Sequence, residues 1–367
     1  MATDTTSSDP AVEGSPPSPK EHKPSLWRRL RRSYVLKRVI HSLFTIYLVI
    51  TGTFFLLRAM PRDPVEEMAN SLIANGTHPD QAYSVARARI SYDPDAPLIQ
   101  QYFEYLANAL RGDFGTTLTG RTEPVLDRIM EYLPWTLFSV GAGITIAVVF
   151  GLFVGMVLAY RRNGLLDQIV SPIAGVMAGI PNYLFLAVLI LVGSVWLGFF
   201  DYAPMQGRLS PYVEVGFTFE FIGDALYHAM LPIIAYAVTV TGGWMLTMKS
   251  TTAEVLGEEY VTVARARGLK EGRIRTQYVG RNAILPVVPQ IALALGTIIG
   301  GAIVVEQIMQ YKGLGLMLFE ATWRHDYPVV QAMTIFLTSA VVFANLLVDI
   351  INSRLDPRIR LNSKEGA

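Results

Sequence analysis

The chain is predicted to be an all-α polytopic membrane protein with six transmembrane helices. A cytoplasmic helical loop joins the fourth and fifth, and a long external loop follows the first. Three observations predict this. Hydrophobic residues make up 51% of the 367 positions and charged ones only 17%, well short of the quarter usual in soluble domains. The mean hydropathy is +0.35. Apolar runs near the length needed to cross a bilayer recur along the chain, and basic residues flank each predicted inner end, as the positive-inside rule requires.

Residues 1–25 are rich in Ser, Thr and Pro without apolar periodicity and read as a disordered cytoplasmic tail. Residues 26–58 hold a basic anchor (Arg28, Arg29, Arg31, Arg32, Lys37, Arg38) and the first span, at 39–57. That cluster matches a juxtamembrane anchor at an anionic lipid surface, not a nucleic-acid site. The apolar run leads into Arg58 and Pro61 with no small-residue cleavage site, so it reads as an uncleaved span.

Residues 59–134 form the external loop. Leu98, Tyr102, Tyr105, Leu106, Ala109 and Leu110 recur at helical spacing, and Gly112 ends that pattern. Pro124 opens a second short helix with Val125, Leu126, Ile129 and Leu133 on one face. These helices either pack on the bundle or lie in the interface, with packing favoured.

The membrane core occupies residues 135–360, with spans at about 135–159, 169–196, 227–248, 284–308 and 329–351, and residues 361–367 form a cytoplasmic tail. Pro172 and Pro181 lie in the third span, predicting a break near residues 179–183. Residues 199–225 read as an outer loop in which acids outnumber bases. Asp349, at the inner end of the sixth span, is expected to pair with a basic loop residue.

Several chemistries are excluded. Cysteine is absent, which removes disulfides, thiolate metal sites and thiol nucleophiles. Five scattered histidines form no His-rich metal cluster, no GxxxxGK[ST] phosphate loop is present, and no catalytic residues pair up.

The most informative stretch is residues 254–286. It carries Arg265, Arg267, Lys270, Arg273, Arg275 and Arg281 against Glu254, Glu258, Glu259 and Glu271. A helix from Glu254 to Arg267, stopped by Gly268, is followed by a second from about Lys270 to Asn282. Ala264 and Gly268, four apart, are expected to form a low floor open to another surface. Periodicity alone leaves two readings open, an amphipathic linker at the headgroups or a docking helix.

TVARARGL (262–269) followed by RNAILPVV (281–288) resembles the cytoplasmic coupling-loop motif of ABC-transporter permeases of the oligopeptide/dipeptide type. RAMPRDP, PLIQQYFEYLANALRGDFGTTL, EPVLDRIMEYLPWTL, HAMLPII, GGAIVVEQIMQYKGLG, HDYPVVQA and NLLVDIINSRLDPRIR resemble the same family, in collinear order from Tyr34 to Arg360. The Glu-Ala-Ala of many permeases aligns with Thr262-Val263-Ala264, so its acid is missing, as in the peptide-type subgroup. Arg62 and Lys312 stand where the family has Gly and Pro, and the 199–225 loop is longer and more aromatic.

The resemblance implies a binding-protein-dependent importer in a prokaryotic cell membrane, multi-pass with both termini cytoplasmic. The partners it implies are a second homologous permease subunit, one or two ABC ATPase subunits holding ATP and Mg, an extracellular solute-binding protein and the lipid bilayer, with no nucleic acid and no cofactor in this chain. Coupling to the ATPase falls to Glu259, Tyr260, Val263, Ala264, Arg265, Ala266, Arg267, Gly268 and Leu269. Polar residues within spans are candidates for a translocation path at Asn182, Tyr183, Thr239, Thr241, Gln290 and Thr297, the threonines reading more often as hydrogen-bonding partners of neighbouring helices. Glu306 and Gln307, followed by flexible Gly313 and Gly315, read as an outer gate or docking element, and Gly296, Gly300 and Gly301 as close-packing positions. Sugar or nickel importers of the same family are alternatives on substrate. An ion-coupled secondary transporter is disfavoured because the span centres carry almost no charge.

Overall fold

The computed structural model describes residues 34–59, 64–74, 76–89, 96–119, 123–291, 294 and 302–355. Among them the chain is helical apart from turns and one isolated bridge, Thr116 to Pro124. The helices are α1 (Tyr34–Ala59), α2 (Pro64–Ala74), α3 (Pro79–Arg89), α4 (Leu98–Arg111), α5 (Val125–Tyr160), α6 (Leu165–Gly179) and α7 (Asn182–Ile190). They continue with α8 (Phe219–Leu256), α9 (Glu259–Ala266), α10 (Glu271–Arg273), α11 (Arg281–Ile284), α12 (Ile303–Met309), α13 (Leu314–Trp323) and α14 (Tyr327–Leu355). The tails, most of the basic anchor, Arg62, Gly296, Thr297, Gly300 and Gly301 lie outside the described residues.

Stretches of α1, α5, α8 and α14 are long and apolar enough to cross a membrane. α6 and α7, with a π-helical extension at Leu191–Trp196, make one more as a pair bent by 102°. The bend falls at Ile180 and Pro181, where the sequence predicts a break. Proline restricts the preceding residue to extended backbone, and Ile180 has ψ 122°. The span expected at 284–308 lies partly outside the described residues.

Two boundaries differ from expectation. The helix opening at Pro124 and the second span are one continuous 36-residue helix running through Pro134. Pro134 removes one backbone bond, at a local cost of about 3 kcal/mol. Burial of Val125 and Ile129 before it, and of Thr136, Ser139 and Val140 after it, holds the helix straight through. Likewise α8 runs for 38 residues through Pro232, so the outer loop is shorter than 199–225 by its last turns. Thr218 sets the true start, its hydroxyl accepting the Phe221 N–H at 3.1 Å.

The bundle is organised around α8. Some 61% of its most apolar window is buried, against 11% for α1. α5 lies along it through small residues every fourth position: Gly143, Ala147, Gly151 and Gly155. A Cβ added at Gly143 would sit 2.7 Å from Tyr236 Cβ, at Gly151 2.6 Å from Trp244 Cβ, and at Gly155 2.4 Å from the Met245 carbonyl oxygen. Between apolar helices there is little hydrophobic gain from water, and such a seam replaces it with backbone-close packing.

α1 and α14 pair at the edge of the bundle, and Arg38 forms an ion pair with Asp349 near their ends. Asp349 therefore pairs with a helix-borne arginine rather than a loop residue. α4 packs on α1, as favoured above. Tyr102 Oη lies 2.9 Å from Thr51 Oγ1, and Arg58 Nε donates to Gln101 Oε1 at 2.9 Å. Gly112, at φ 76°, closes α4, while Leu98 and Leu110 turn outward.

Replacing Gly151 with leucine is expected to lower the Tm in detergent, since overpacking a close seam costs about 1–3 kcal/mol or more. An unchanged thermal unfolding curve would contradict the seam's role.

Candidate functional site

The charged stretch folds as a hook below α5 and α8. α8 ends at Leu256, so Glu254 belongs to it, and Gly257 and Glu258 turn the chain into α9. α9 is thus shorter than the helix expected from Glu254 to Arg267. It ends in a Schellman motif: the Leu269 N–H donates to the Ala264 carbonyl at 3.3 Å and the Gly268 N–H to that of Arg265 at 2.9 Å. Gly268 takes φ 73°, which a glycine adopts without strain. The return arm runs through α10, a π-helical stretch at Ile274–Gly280, and α11.

The hook has its own small core. Val261 and Ala264 from α9 meet Ile274 and Val279 from the return arm, with Tyr160, Val255, Leu256, Leu269 and Tyr278 around them. Each fully buried Val or Ile is worth about 1.5–3 kcal/mol, so this cluster holds the short α9 in place. All ten charged residues of the stretch stay exposed. The Arg265–Glu271 pair, 3.2 Å apart and half exposed, adds at most about 1 kcal/mol. The Arg275 guanidinium lies 5.0 Å from the Tyr160 ring centroid, tying the return arm to the end of α5.

This geometry corrects one expectation. Ala264 is only 3% exposed and faces the hook's own core, so it is not the floor of an open surface. The outward face of α9 is Tyr260, Val263 and Arg267 at i, i+3 and i+7, continued by Gly268. Glu259, Arg265 and Ala266 are exposed beside it, and Leu269 is half buried beneath. The signal for which face points out was present: Val261, Ala264 and Leu269 form the opposite apolar stripe.

The polar residues expected to line a path separate into two groups. Thr239 and Thr241 are buried, and each donates its hydroxyl to its own helix, to the carbonyls of Ala235 and Ala237. In apolar surroundings the carbonyl four residues back is the nearest acceptor, so each hydroxyl is satisfied within its own helix. Asn182 and Tyr183 sit at the head of α7 directly after the bend; Asn182 is half buried and Tyr183 is 38% exposed. Gln290 is exposed, with Nε2 3.3 Å from the Pro286 carbonyl.

The segment expected as an outer gate is closely packed. Glu306 is fully buried, its carboxylate accepting from Thr136 Oγ1 at 2.7 Å and the Leu316 N–H at 3.0 Å. Thr136 Oγ1 also accepts the Leu314 N–H at 2.7 Å. Gly313 and Gly315 are buried because nothing larger fits. A Cβ at Gly313 would lie 2.3 Å from the Glu306 carboxylate, and one at Gly315 2.6 Å from Ile303 Cα. Gln307 is half buried, and its carbonyl takes the Gln310 N–H at 3.2 Å.

Sequence reasoning passed over two further anchors. Asp326, buried at the head of α14, accepts from the N–H groups of Leu118 and Thr119 and from Thr119 Oγ1, each at 2.9 Å, and so ties the loop between α4 and α5 to α14. Asp167, at the head of α6, pairs with Lys249 of α8. A single acid at a helix start carries no periodic signal, so neither partner could be assigned from sequence.

The geometry is a membrane bundle with a structured polar hook at one end, and the comparisons agree with it. Residues 147–361 match the family described as binding-protein-dependent transport system inner membrane component. Among similar proteins is an oligopeptide transport system permease protein of Bacillus subtilis, 32% identical, with the match covering 89% of this chain and 99% of the relative. A di/tripeptide transport system permease protein of Pseudomonas aeruginosa is 32% identical, over 89% and 98%. A glutathione transport system permease protein of Escherichia coli K12 is 30% identical, over 89% and 99%. With its helical bundle, its hook and a match of this length, the chain belongs to the binding-protein-dependent transport system inner membrane components, as an ABC permease of the oligopeptide/dipeptide type.

Proposed function

We propose that this chain is one membrane-spanning subunit of a peptide importer, and that α9 is the surface on which an ABC ATPase subunit pushes. The observation that carries the reading is the hook. A short helix is fixed by its own core to the ends of α5 and α8, and it presents Tyr260, Val263, Arg267 and Gly268 outward. A surface built to transmit force needs a stiff mount and an unpartnered apolar centre with a charged rim, and α9 has both.

In this reading ATP and Mg reside on the partner ATPases. The chain crosses six times, the fifth passage lying over residues 284–308, with both termini and the hook on the cytoplasmic side. A second, related permease completes the path, and Asn182, Tyr183 and Gln290 are its candidate lining in this chain. An extracellular binding protein delivers the solute. The transport of oligopeptides, di/tripeptides and glutathione named for the relatives supports a peptide as that solute. The Glu306 segment serves the outer closure as a rigid block anchored to Thr136 of α5, so it moves with that helix.

Ion-coupled transport gains no support from the described residues. Their buried acids, Asp167, Glu306 and Asp326, are each engaged by hydrogen bonds near helix ends.

Val263→Asp, which places a charge at the centre of the outward face, is expected to weaken ATPase docking about tenfold or more. Solute-stimulated ATP hydrolysis in the reconstituted complex should fall with it, and unchanged stimulation would overturn the docking assignment. Gly268→Ala is expected to cost about 1 kcal/mol through its left-handed backbone, read as faster amide hydrogen exchange confined to the hook. Ala264→Trp should instead disrupt the hook's core and speed exchange at Ile274 and Val279 as well, whether or not an ATPase is present.

A further inference from the structure

α6 and α8 run antiparallel and touch at two places in one register. At the outer of these, Gly242 of α8 sits on Ala174 of α6: a Cβ at 242 would lie 2.1 Å from the Ala174 carbonyl oxygen and 3.0 Å from Met177 Cβ. Seven residues along each helix, toward the hook, Lys249 Nζ pairs with the Asp167 carboxylate. That spacing puts the contacts about 10 Å apart on the helix axes.

The inner contact is a network and not a lone surface pair. Asp167 Oδ1 also accepts from Ser171 Oγ at 2.6 Å, and Asp167 Oδ2 from the Asn163 N–H at 3.0 Å. Lys249 Nζ donates in addition to Ser171 Oγ at 2.9 Å. The side chains of Asp167 and Lys249 are 9% and 24% exposed. A pair this sheltered, with its remaining donors and acceptors matched, holds one geometry, whereas an exposed pair exchanges freely with water. Two contacts in one register prevent α6 from sliding or rotating on α8.

Lys249 lies two turns before the end of α8, and α8 leads directly into the hook. We propose that Asp167 and Lys249 are positioning residues that clasp α6 to the hook-bearing helix, so that α6 is carried with α8 when the hook is displaced. The α6 end at Gly179 then delivers that displacement to the bend, where Asn182 and Tyr183 stand. The inference rests on the reading of α9 as the ATPase-driven surface, and it adds the element that takes motion from there to the broken span.

The chain has no cysteine, so introduced ones are its sole labels. Val176→Cys on α6 and Glu254→Cys on α8 are exposed positions about 20 Å apart along the pair at 1.5 Å per residue. With spin labels there, in the complete complex in lipid nanodiscs, the distance distribution is expected to be narrow and unchanged between the nucleotide-free and ATP-trapped states. With Asp167→Asn and Lys249→Met added, it is expected to broaden. The same two substitutions, unlabelled, should lower transport about tenfold while complex assembly and basal ATP hydrolysis persist. A wild-type distance that shifts between the two states, or transport unaffected by the substitutions, would overturn the clasp. Failure of the docking assignment is distinguishable: there Val263→Asp leaves stimulation intact, whatever the label distances show.

Discussion

The rest of the structure depends on how closely α5 approaches α8. Four small residues on one face of α5 remove the side chains that would hold the two backbones apart. In a bilayer the gain from such contact comes from dispersion and close packing. α8 is thereby buried along most of its length, and the other elements are placed against it. α6 crosses it at Gly242, the hook hangs from its end, and the outer core gathers around Tyr236. Were the seam a turn out of register, Gly151 would face a side chain other than Trp244, and these attachments would lose their common support.

A second consequence concerns stiffness. α8 passes unbroken through Pro232 from the capping hydroxyl of Thr218 to Leu256, and α5 passes through Pro134 in the same way. Long uninterrupted helices locked side by side transmit displacement with little loss. The breaks that do occur are localised, at Ile180-Pro181 in the third span and at Gly257-Glu258 above the hook. The charged residues of the hook keep its outward face polar, while Val261, Ala264, Ile274 and Val279 form the core that holds it.

Much of this was legible beforehand. Apolar runs located α1, α5, α8, α14 and the bent pair of α6 and α7, Pro181 marked the bend, and Gly112 and Gly268 marked helix ends, because each depends on local hydropathy or a residue's own backbone preferences. The hook's position, its charge and its kinship were visible too. The errors share a cause. Residues 124–134 were read as a helix separate from the second span, and Ala264 as part of an open floor. In each case the local signal was sound, and neighbours distant in sequence reversed its meaning: Ile129 joins the same core as Val140, and Ala264 is covered by Ile274 and Val279.

The sequence by itself determined that this is a membrane bundle, roughly where its helices begin and end, and which family it belongs to. Those properties follow from hydropathy, local backbone preference and collinear motifs, all of which act over a few turns. Only the tertiary structure decided which way α9 faces, that Glu306 is buried against Thr136 and Gly313, and which helix Asp167 holds. Those outcomes depend on pairs such as Thr136 with Glu306 and Asp167 with Lys249, which are 170 and 82 positions apart in the chain. A periodic pattern identifies a face, but what covers that face is set by the packing of elements brought together from afar.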